Sequence, residues 1–249
     1  MNGAIDIQGL EFSYPDGRKV LHGVDLEITA GERVAILGPN GAGKTTLALH
    51  LNGILQPKAG TITVCGVPVE EDHYREVRRL VGLVFQDTND QLFMPTVRED
   101  VAFGPANLGL KDEALDERVD AALEVVSGTE FANRPPHHLS GGEKRRAALA
   151  TVLSMDPEVL VFDEPTSGLD PAGRRELILT LADLSMTQLV ITHDLPLALE
   201  LCPRSVIMNG GLVVADVPTS DLLDTPDLLA DNRLELPYGF DRSGGASGT

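Results

Sequence analysis

The sequence predicts an α/β fold: a core of mainly parallel sheet, an N-terminal antiparallel β subdomain and an inserted helical subdomain. Three observations predict it. Nearly continuous apolar runs such as Arg33–Leu37 are followed by helical patterns, here over residues 44–55, and strands buried on both faces of a parallel sheet read in that way. The N-terminal stretch instead alternates, in Ile5-Asp6-Ile7 and Val24-Asp25-Leu26-Glu27-Ile28, as antiparallel strands with one wet face do. Residues 90–155 are dominated by helical spacing with no strand-like run among them.

In chain order, a charged helical segment at 70–79 precedes a second buried strand at 80–85. The pattern over 96–127 is helical, with Val97, Val101, Leu108, Leu115, Val119, Leu123 and Val126 set among charges. Another helix starts near Gly141, capped by Ser140, and runs to about 155. Strands return at 159–162 and 188–191 around a helix at 171–184, and 206–208 and 212–214 are strand-like. Strand alternating with helix argues for parallel pairing. The expected organisation is one domain over 1–235, with a helical subdomain at about 90–155, and a flexible tail over 236–249 whose Ser- and Gly-rich end has nothing to pack.

At 249 residues the chain can bury one substantial core with a smaller subdomain inserted. No stretch approaches the roughly 20 apolar residues that cross a bilayer, and the N-terminus lacks the blocks of a secretory signal. A cytoplasmic protein that reaches the membrane only through a partner is expected. Cys65 and Cys202 show neither metal nor redox spacing and read as buried or partly buried free thiols. With 38 acidic against 20 basic residues the formal charge is −18, which disfavours nucleic acid or anionic lipid as partners. Either a high-salt cytoplasm or a coding bias toward Arg accounts for that balance.

The chemistry is concentrated in a few motifs. In Gly38-Pro39-Asn40-Gly41-Ala42-Gly43-Lys44-Thr45-Thr46, the P-loop of an NTPase core, glycines let the backbone curl so that several N–H groups and a helix N-terminus converge on phosphates. Lys44 reaches the β- and γ-phosphates and the Thr45 hydroxyl ligates Mg²⁺. Asp163 and Glu164 end an apolar strand; Asp163 suits Mg²⁺, and Glu164 suits taking a proton from the water that attacks the γ-phosphate. Gln86, just past a buried strand, is placed to meet Mg²⁺ or that water and to begin the helical insert. His193 follows another strand and positions rather than titrates. Tyr14 offers a flat ring for adenine. His50, His137 and His138 read as core or loop residues.

Ser140, Gly141 and Gly142 repeat the anion-binding logic of the P-loop: a hydroxyl, flexible backbone and a helix N-terminus. One P-loop already envelops the nucleotide, so this second set is expected to close on ATP held by another subunit. Ser167-Gly168-Leu169-Asp170, soon after Glu164, is suited to linking the two sites.

These residues, in this order, resemble the ATP-binding cassette ATPases over about residues 3–225. The family's signature usually carries Gln where this chain has Glu143, a carboxylate compatible with a helix start. The segments 50–55, 85–93, 101–105 and 135–140 look like the ATPase of energy-coupling factor transporters, especially the cobalt importer type. That resemblance implies an ATP- and Mg²⁺-dependent ATPase at the cytoplasmic face of the membrane, paired with itself or a paralogue. It also implies an integral membrane coupling protein and a membrane component that binds cobalt, nickel or a vitamin. Some members carry a longer C-terminal dimerisation region, of which little is expected after Leu236. A cassette ATPase for another cargo such as lipid would share all of the catalysis, and a soluble translation or repair factor would need a second cassette, long added arms or a basic surface.

Overall fold

The computed structural model describes residues 3–236. A hairpin of β1 (Gly3–Ser13) and β2 (Lys19–Thr29) leads to β3 (Arg33–Leu37), the glycine loop and α1 (Lys44–Leu51). Next come β4 (Ala59–Val64), β5 (Val67–Pro68), α2 (Tyr74–Leu80) and β6 (Val81–Val84). Three helices follow, α3 (Val97–Leu108), α4 (Asp112–Val125) and α5 (Gly141–Leu153), before β7 (Val159–Asp163). The remainder runs α6 (Pro171–Asp183), β8 (Thr187–Ile191), α7 (Leu195–Leu201), β9 (Arg204–Asn209), β10 (Leu212–Pro218) and α8 (Pro226–Asp231).

The strands form two sheets. One is antiparallel, in the order β2-β1-β4-β5; the other runs β10-β9-β3-β8-β7-β6 and is parallel except for the β9–β10 hairpin. The central strands are buried on both faces. Val34, Ile36, Val159, Val161, Leu189 and Ile191 face a core shared with the antiparallel sheet and α1. Ala35, Leu37, Leu160, Phe162 and Val190 face a second core shared with α5, α6, α7 and the inserted helices. That two-sided burial is why these strands lack alternation, whereas β2 keeps Asp25 and Glu27 exposed between buried Val24, Leu26 and Ile28.

Caps start the helices where the sequence predicts. Thr96 opens α3 and Ser140 opens α5, each in a reciprocal capping box with the Glu three residues on. Asp170 opens α6 by accepting the Gly173 N–H at 2.7 Å.

Several expected boundaries shift. The first helix ends at Leu51 rather than residue 55, because Gly53 takes φ +67° and the N–H groups of Ile54 and Leu55 turn back to the Leu49 carbonyl at 3.0 Å. Leu80 closes α2, so the buried strand begins at Val81. It ends before Phe85, whose N–H bonds to the Gln91 side chain at 3.3 Å. The helical stretch 96–127 divides at Gly109, φ +104°. The helix from Gly141 stops at Leu153, where Ser154 bonds the Val101 carbonyl at 2.8 Å and ties α5 to α3. Cys202 is buried, its thiol pushed up to about 12 by desolvation. Cys65, expected at least partly buried, is exposed in the turn between β4 and β5. The predicted tail beyond Leu236 lies outside the described residues.

Arg204 fastens the large sheet to the hairpin, with Nη1 on both Glu32 carboxylate oxygens, Nη2 on the Glu27 carbonyl, and Nε and Nη2 on Asp216. The contact of α5 with β6 is tighter. A Cβ on Gly82 would lie 2.0 Å from Val152 Cγ1 and 3.0 Å from Leu160 Cδ2. Gly82→Ala is therefore expected to cost about 1–3 kcal/mol through overpacking, read as a lower urea midpoint at unchanged slope. An unchanged midpoint would mean that α5 rides away from the sheet freely.

At the start of α3, Asp100 is buried, with Oδ1 accepting the N–H groups of Phe93 and Met94 at 3.0 and 2.9 Å and Oδ2 unpaired. Desolvation raises its carboxyl above the ordinary 3.8, the two N–H groups opposing it. The folded protein thus holds this proton to higher pH than the unfolded chain, so ionising Asp100 lowers stability as pH climbs from 3.8 through the elevated value. Asp100→Asn is expected to gain on the wild type across that window and to run parallel to it on either side. A pH series of denaturation curves checks this, and a constant difference throughout would contradict it.

Candidate active site

The parallel register brings the predicted groups to one edge. Ile36 of β3 pairs with Ile191 of β8, which pairs in turn with Asp163 of β7. One residue further on, Glu164 N–H bonds the Ile191 carbonyl at 2.8 Å and Thr192 N–H bonds the Ile36 carbonyl at 3.1 Å. The loop after β3, the Asp163-Glu164 pair and the Thr192-His193 pair therefore leave the sheet side by side. Asp163, Glu164 and His193 line a cleft of about 420 Å³ together with Tyr14, Gln86 and the loop residues Asn40 to Thr46, with Thr192 buried behind them.

In the loop, Gly38 and Gly43 have no room for a side chain. Gly38 has φ +142° and a Cβ there would fall 2.0 Å from the Met208 carbonyl oxygen; Gly43, at φ +101°, begins α1 with Leu21 Cδ2 only 2.8 Å from such a Cβ. Pro39 adds its carbonyl. Lys44 is buried, its Nζ donating to the Gly38 and Pro39 carbonyls at 2.7 and 3.1 Å. Desolvation lowers its pKa, while the charges of Glu164 and Asp163 oppose that fall. Thr45 Oγ1 donates to Asp163 Oδ2 at 2.7 Å. Burial raises the Asp163 carboxyl against that hydrogen bond. A hydroxyl and a desolvated carboxylate touching beside a phosphate cradle form a hard oxygen donor pair, which fits Mg²⁺ held by few protein ligands plus substrate phosphates. No cluster of three or more His, Cys, Asp or Glu suited to a metal occurs among the described residues.

Glu164 is buried and sits at φ 49°, a left-handed conformation costly for a side-chain-bearing residue. Both its oxygens are held: Thr192 Oγ1 donates to Oε2 at 3.1 Å, and His193 Nδ1 lies 2.7 Å from Oε1. Most of the His193 ring stays open to solvent, at 67% exposure of the side chain. Thr192 is the member that sequence reading missed. Its signal was a hydroxyl immediately before His193, and Oγ1 also accepts the Asp194 N–H at 3.0 Å. Tyr14 stands at the cleft wall with its hydroxyl 3.2 Å from Thr46 Oγ1, its ring edge-on to Phe12 and the Arg18 guanidinium 5.4 Å from its centroid. Arg18, His22 and Gly210 also line the cleft without having been anticipated.

Ser140, Gly141 and Gly142 do not join this cleft. Gly141 lines a separate hollow with Gln86, Ser167, Gly168 and Leu169. The departure at Glu143 has a local reason: its carboxylate accepts the Ser140 N–H at 2.7 Å and an Arg134 guanidinium N–H at 2.9 Å. Those contacts, the Ser140 backbone bond foremost, hold its pKa below the ordinary value. His50 is buried in the core with Nδ1 2.7 Å from the Thr46 carbonyl, and His137 and His138 lie exposed before α5.

Comparison with known proteins shows the family to which the chain belongs. Residues 21–167 match the ABC transporter family. A putative ABC transporter ATP-binding protein of Streptomyces coelicolor is 61% identical over 246 residues, covering 98% of this chain and 95% of that protein. An energy-coupling factor transporter ATP-binding protein of Methanospirillum hungatei is 47% identical, over 94% of this chain and 86% of its own. Among solved structures, cbiO1 of Clostridium perfringens, described as part of the ABC transporter complex cbiONQ, superposes with a TM-score of 0.82 at 35% identity, over 95% of this chain and 97% of that one. With a family match over most of its length and relatives covered almost end to end, the chain belongs to the ABC transporter family, carrying that family's ATP-binding cassette.

Proposed function

We propose that this protein is the ATP-hydrolysing subunit of an energy-coupling factor importer, with cobalt or a related metal ion as cargo. It works at the cytoplasmic face of the membrane as one of two cassettes, a homodimer or a pair with a paralogue, and its first 235 residues act as one ATPase domain. Its membrane partners are an integral coupling protein and a cargo-binding component. No helix among the described residues is long and apolar enough to cross a membrane, so transport calls for such partners.

What most supports hydrolysis is the fixing of Glu164. Two hydrogen bonds orient a buried carboxylate in the cleft that also holds Lys44 and Thr45, as a base acting on water beside a γ-phosphate requires. Lys44 exchanges the Gly38 and Pro39 carbonyls for phosphate oxygens. Thr45 and Asp163, with Gln86, hold Mg²⁺, which neutralises phosphate charge when bound. Thr192 and His193 keep Glu164 aimed. Ser140, Gly141 and Gly142 close on the ATP of the partner subunit, consistent with their separation from this subunit's own cleft.

Coupling to the membrane is supported by an apolar cleft of about 260 Å³ lined by Ile54, Phe85, Gln91, Phe93, Phe103 and Met155 among others. Phe93 and Phe103 are 61% and 45% exposed and meet edge to face at 5.1 Å, a surface suited to an apolar helix from the coupling protein. Phe85 in its wall directly precedes Gln86 in the chain, so closure of the two cassettes is felt there. The resemblance of segments such as 85–93 to the cobalt importer type, and the likeness to the Methanospirillum and Clostridium proteins, favour this kind of transporter over other cassettes.

Glu164→Gln is expected to retain ATP binding while turnover falls roughly 10²- to 10⁴-fold, and to trap a closed dimer on size-exclusion chromatography with ATP. Near-normal phosphate release would remove Glu164 from the role of base. Lys44→Ala is expected to abolish nucleotide binding, read with a fluorescent ATP analogue; unchanged affinity would mean that the backbone cradle alone suffices.

A further inference from the structure

Among the described residues, Gln86 is the one that lines both the P-loop cleft and the hollow beside Gly141. Its side chain is exposed, but its backbone is gripped from α5. Arg145, five residues beyond the Ser140 cap, is only 5% exposed. Its Nη1 donates to the Phe85 carbonyl at 2.8 Å and its Nη2 to the Gln86 carbonyl at 3.0 Å. A buried cation held by two neutral carbonyls, its Nε left without a partner, is costly, and desolvation lowers its pKa, offset in part by the charges of Asp163 and Asp87. Two apolar contacts would hold the end of β6 against α5 at lower cost. A guanidinium adds a planar two-pronged grip that fixes the orientation of the Gln86 peptide relative to the helix. Gln91 reinforces it, bonding the Ala148 carbonyl and Thr151 Oγ1 of α5 at 2.7 and 2.8 Å while accepting the Phe85 N–H.

We infer that Arg145 is a positioning residue that fixes Gln86 to α5, so that seating Ser140 at the N-terminus of this helix on the partner's ATP places Gln86 in this subunit's own site. The inference rests on the two-subunit ATPase reading above and adds the device by which one ATP site reports to the other. Since α5 is a single helix from Gly141 to Leu153, a shift at its first turn carries Arg145 with it. Gln86 then moves as a passenger of the contact with the partner.

A double-mutant cycle on the full-length chain tests this, with Arg145→Met and Gln86→Ala, ATP affinity measured separately from kcat. Arg145→Met is expected to lower kcat by on the order of 10- to 100-fold, as misplacement of a reacting-site group does, with ATP affinity within about twofold of wild type. In the Gln86→Ala background it is expected to do almost nothing further, because a residue acting through another shows no second effect once that other is gone. Arg145→Lys, which keeps the charge and one of the two bonds, is expected to fall between and covers the case in which the Met variant does not fold. Effects that multiply, or a loss of ATP affinity matching the loss of kcat, would overturn the inference and leave Arg145 a structural strut. If wild type hydrolyses ATP and Glu164→Gln dimerises while the cycle is multiplicative, the ATPase reading stands and only the coupling role falls. If wild type hydrolyses nothing, both fall together.

Discussion

Everything chemical here depends on the in-register pairing of β3, β8 and β7, which sets three strands on one line. Ile36, Ile191 and Asp163 occupy that line; β7 and β8 end on it and β3 one residue later at Leu37, and the residues that follow each strand have their own task. After β3 the chain must turn sharply enough to present N–H groups, and Gly38 lies so close to Met208 that no other residue fits. Beyond β7 the chain adopts a left-handed φ at Glu164, and beyond β8 Thr192 and His193 reach that carboxylate. A shift by one residue in any of these pairings would reverse which side chains face each core. Burial on both faces of the sheet thus stabilises the register, and the register sets the distances in the cleft.

The site is also held together by its own charges. Lys44, Asp163 and Glu164 are all buried, and each alone would be expensive. Lys44 lies on two carbonyls and feels both acids, while Thr45 donates to Asp163. In the hydrolysis proposed above, arriving phosphates would meet a cation and N–H groups whose orientation is already set, and only partners would be exchanged, leaving little reorganisation for the moment of reaction. The left-handed Glu164 is the strained element, and the two bonds from Thr192 and His193, with its N–H on the Ile191 carbonyl, are what hold it there.

Much of this was legible from residue order because the loop, the strand-end acids and the capped second turn are local patterns. Glycines, a lysine and a hydroxyl at fixed spacing specify their own backbone, and Ser140 with Glu143 specifies a helix start whatever it packs on. What stayed hidden depends on contacts distant in sequence. Thr192 acquires its role only through pairing of β7 with β8, and Arg145 reads as one more polar residue of a helix until β6 is seen against it. The end of α1 at Leu51 follows from the left-handed Gly53 and the return of the Ile54 and Leu55 N–H groups to the Leu49 carbonyl, and the apolar periodicity of residues 44–55 runs past it. Strands β4 and β5 were missed because β4 is half exposed and β5 is only two residues long.

Glu143 shows how a departure from a family pattern can be neutral in one respect and informative in another. A neutral amide and a carboxylate both accept the Ser140 N–H, so the cap survives either way. Only the carboxylate pairs with the Arg134 guanidinium, which also donates to the His138 carbonyl at 2.7 Å. The charge therefore braces the 134–138 turn against the first turn of α5, just before the residues proposed to meet the partner's ATP. It also places a negative charge at the positive end of the helix dipole, partly cancelling the field that Ser140, Gly141 and Gly142 direct outward. Arg134 sets a positive charge 2.9 Å from that carboxylate and so offsets its charge at the tip of α5.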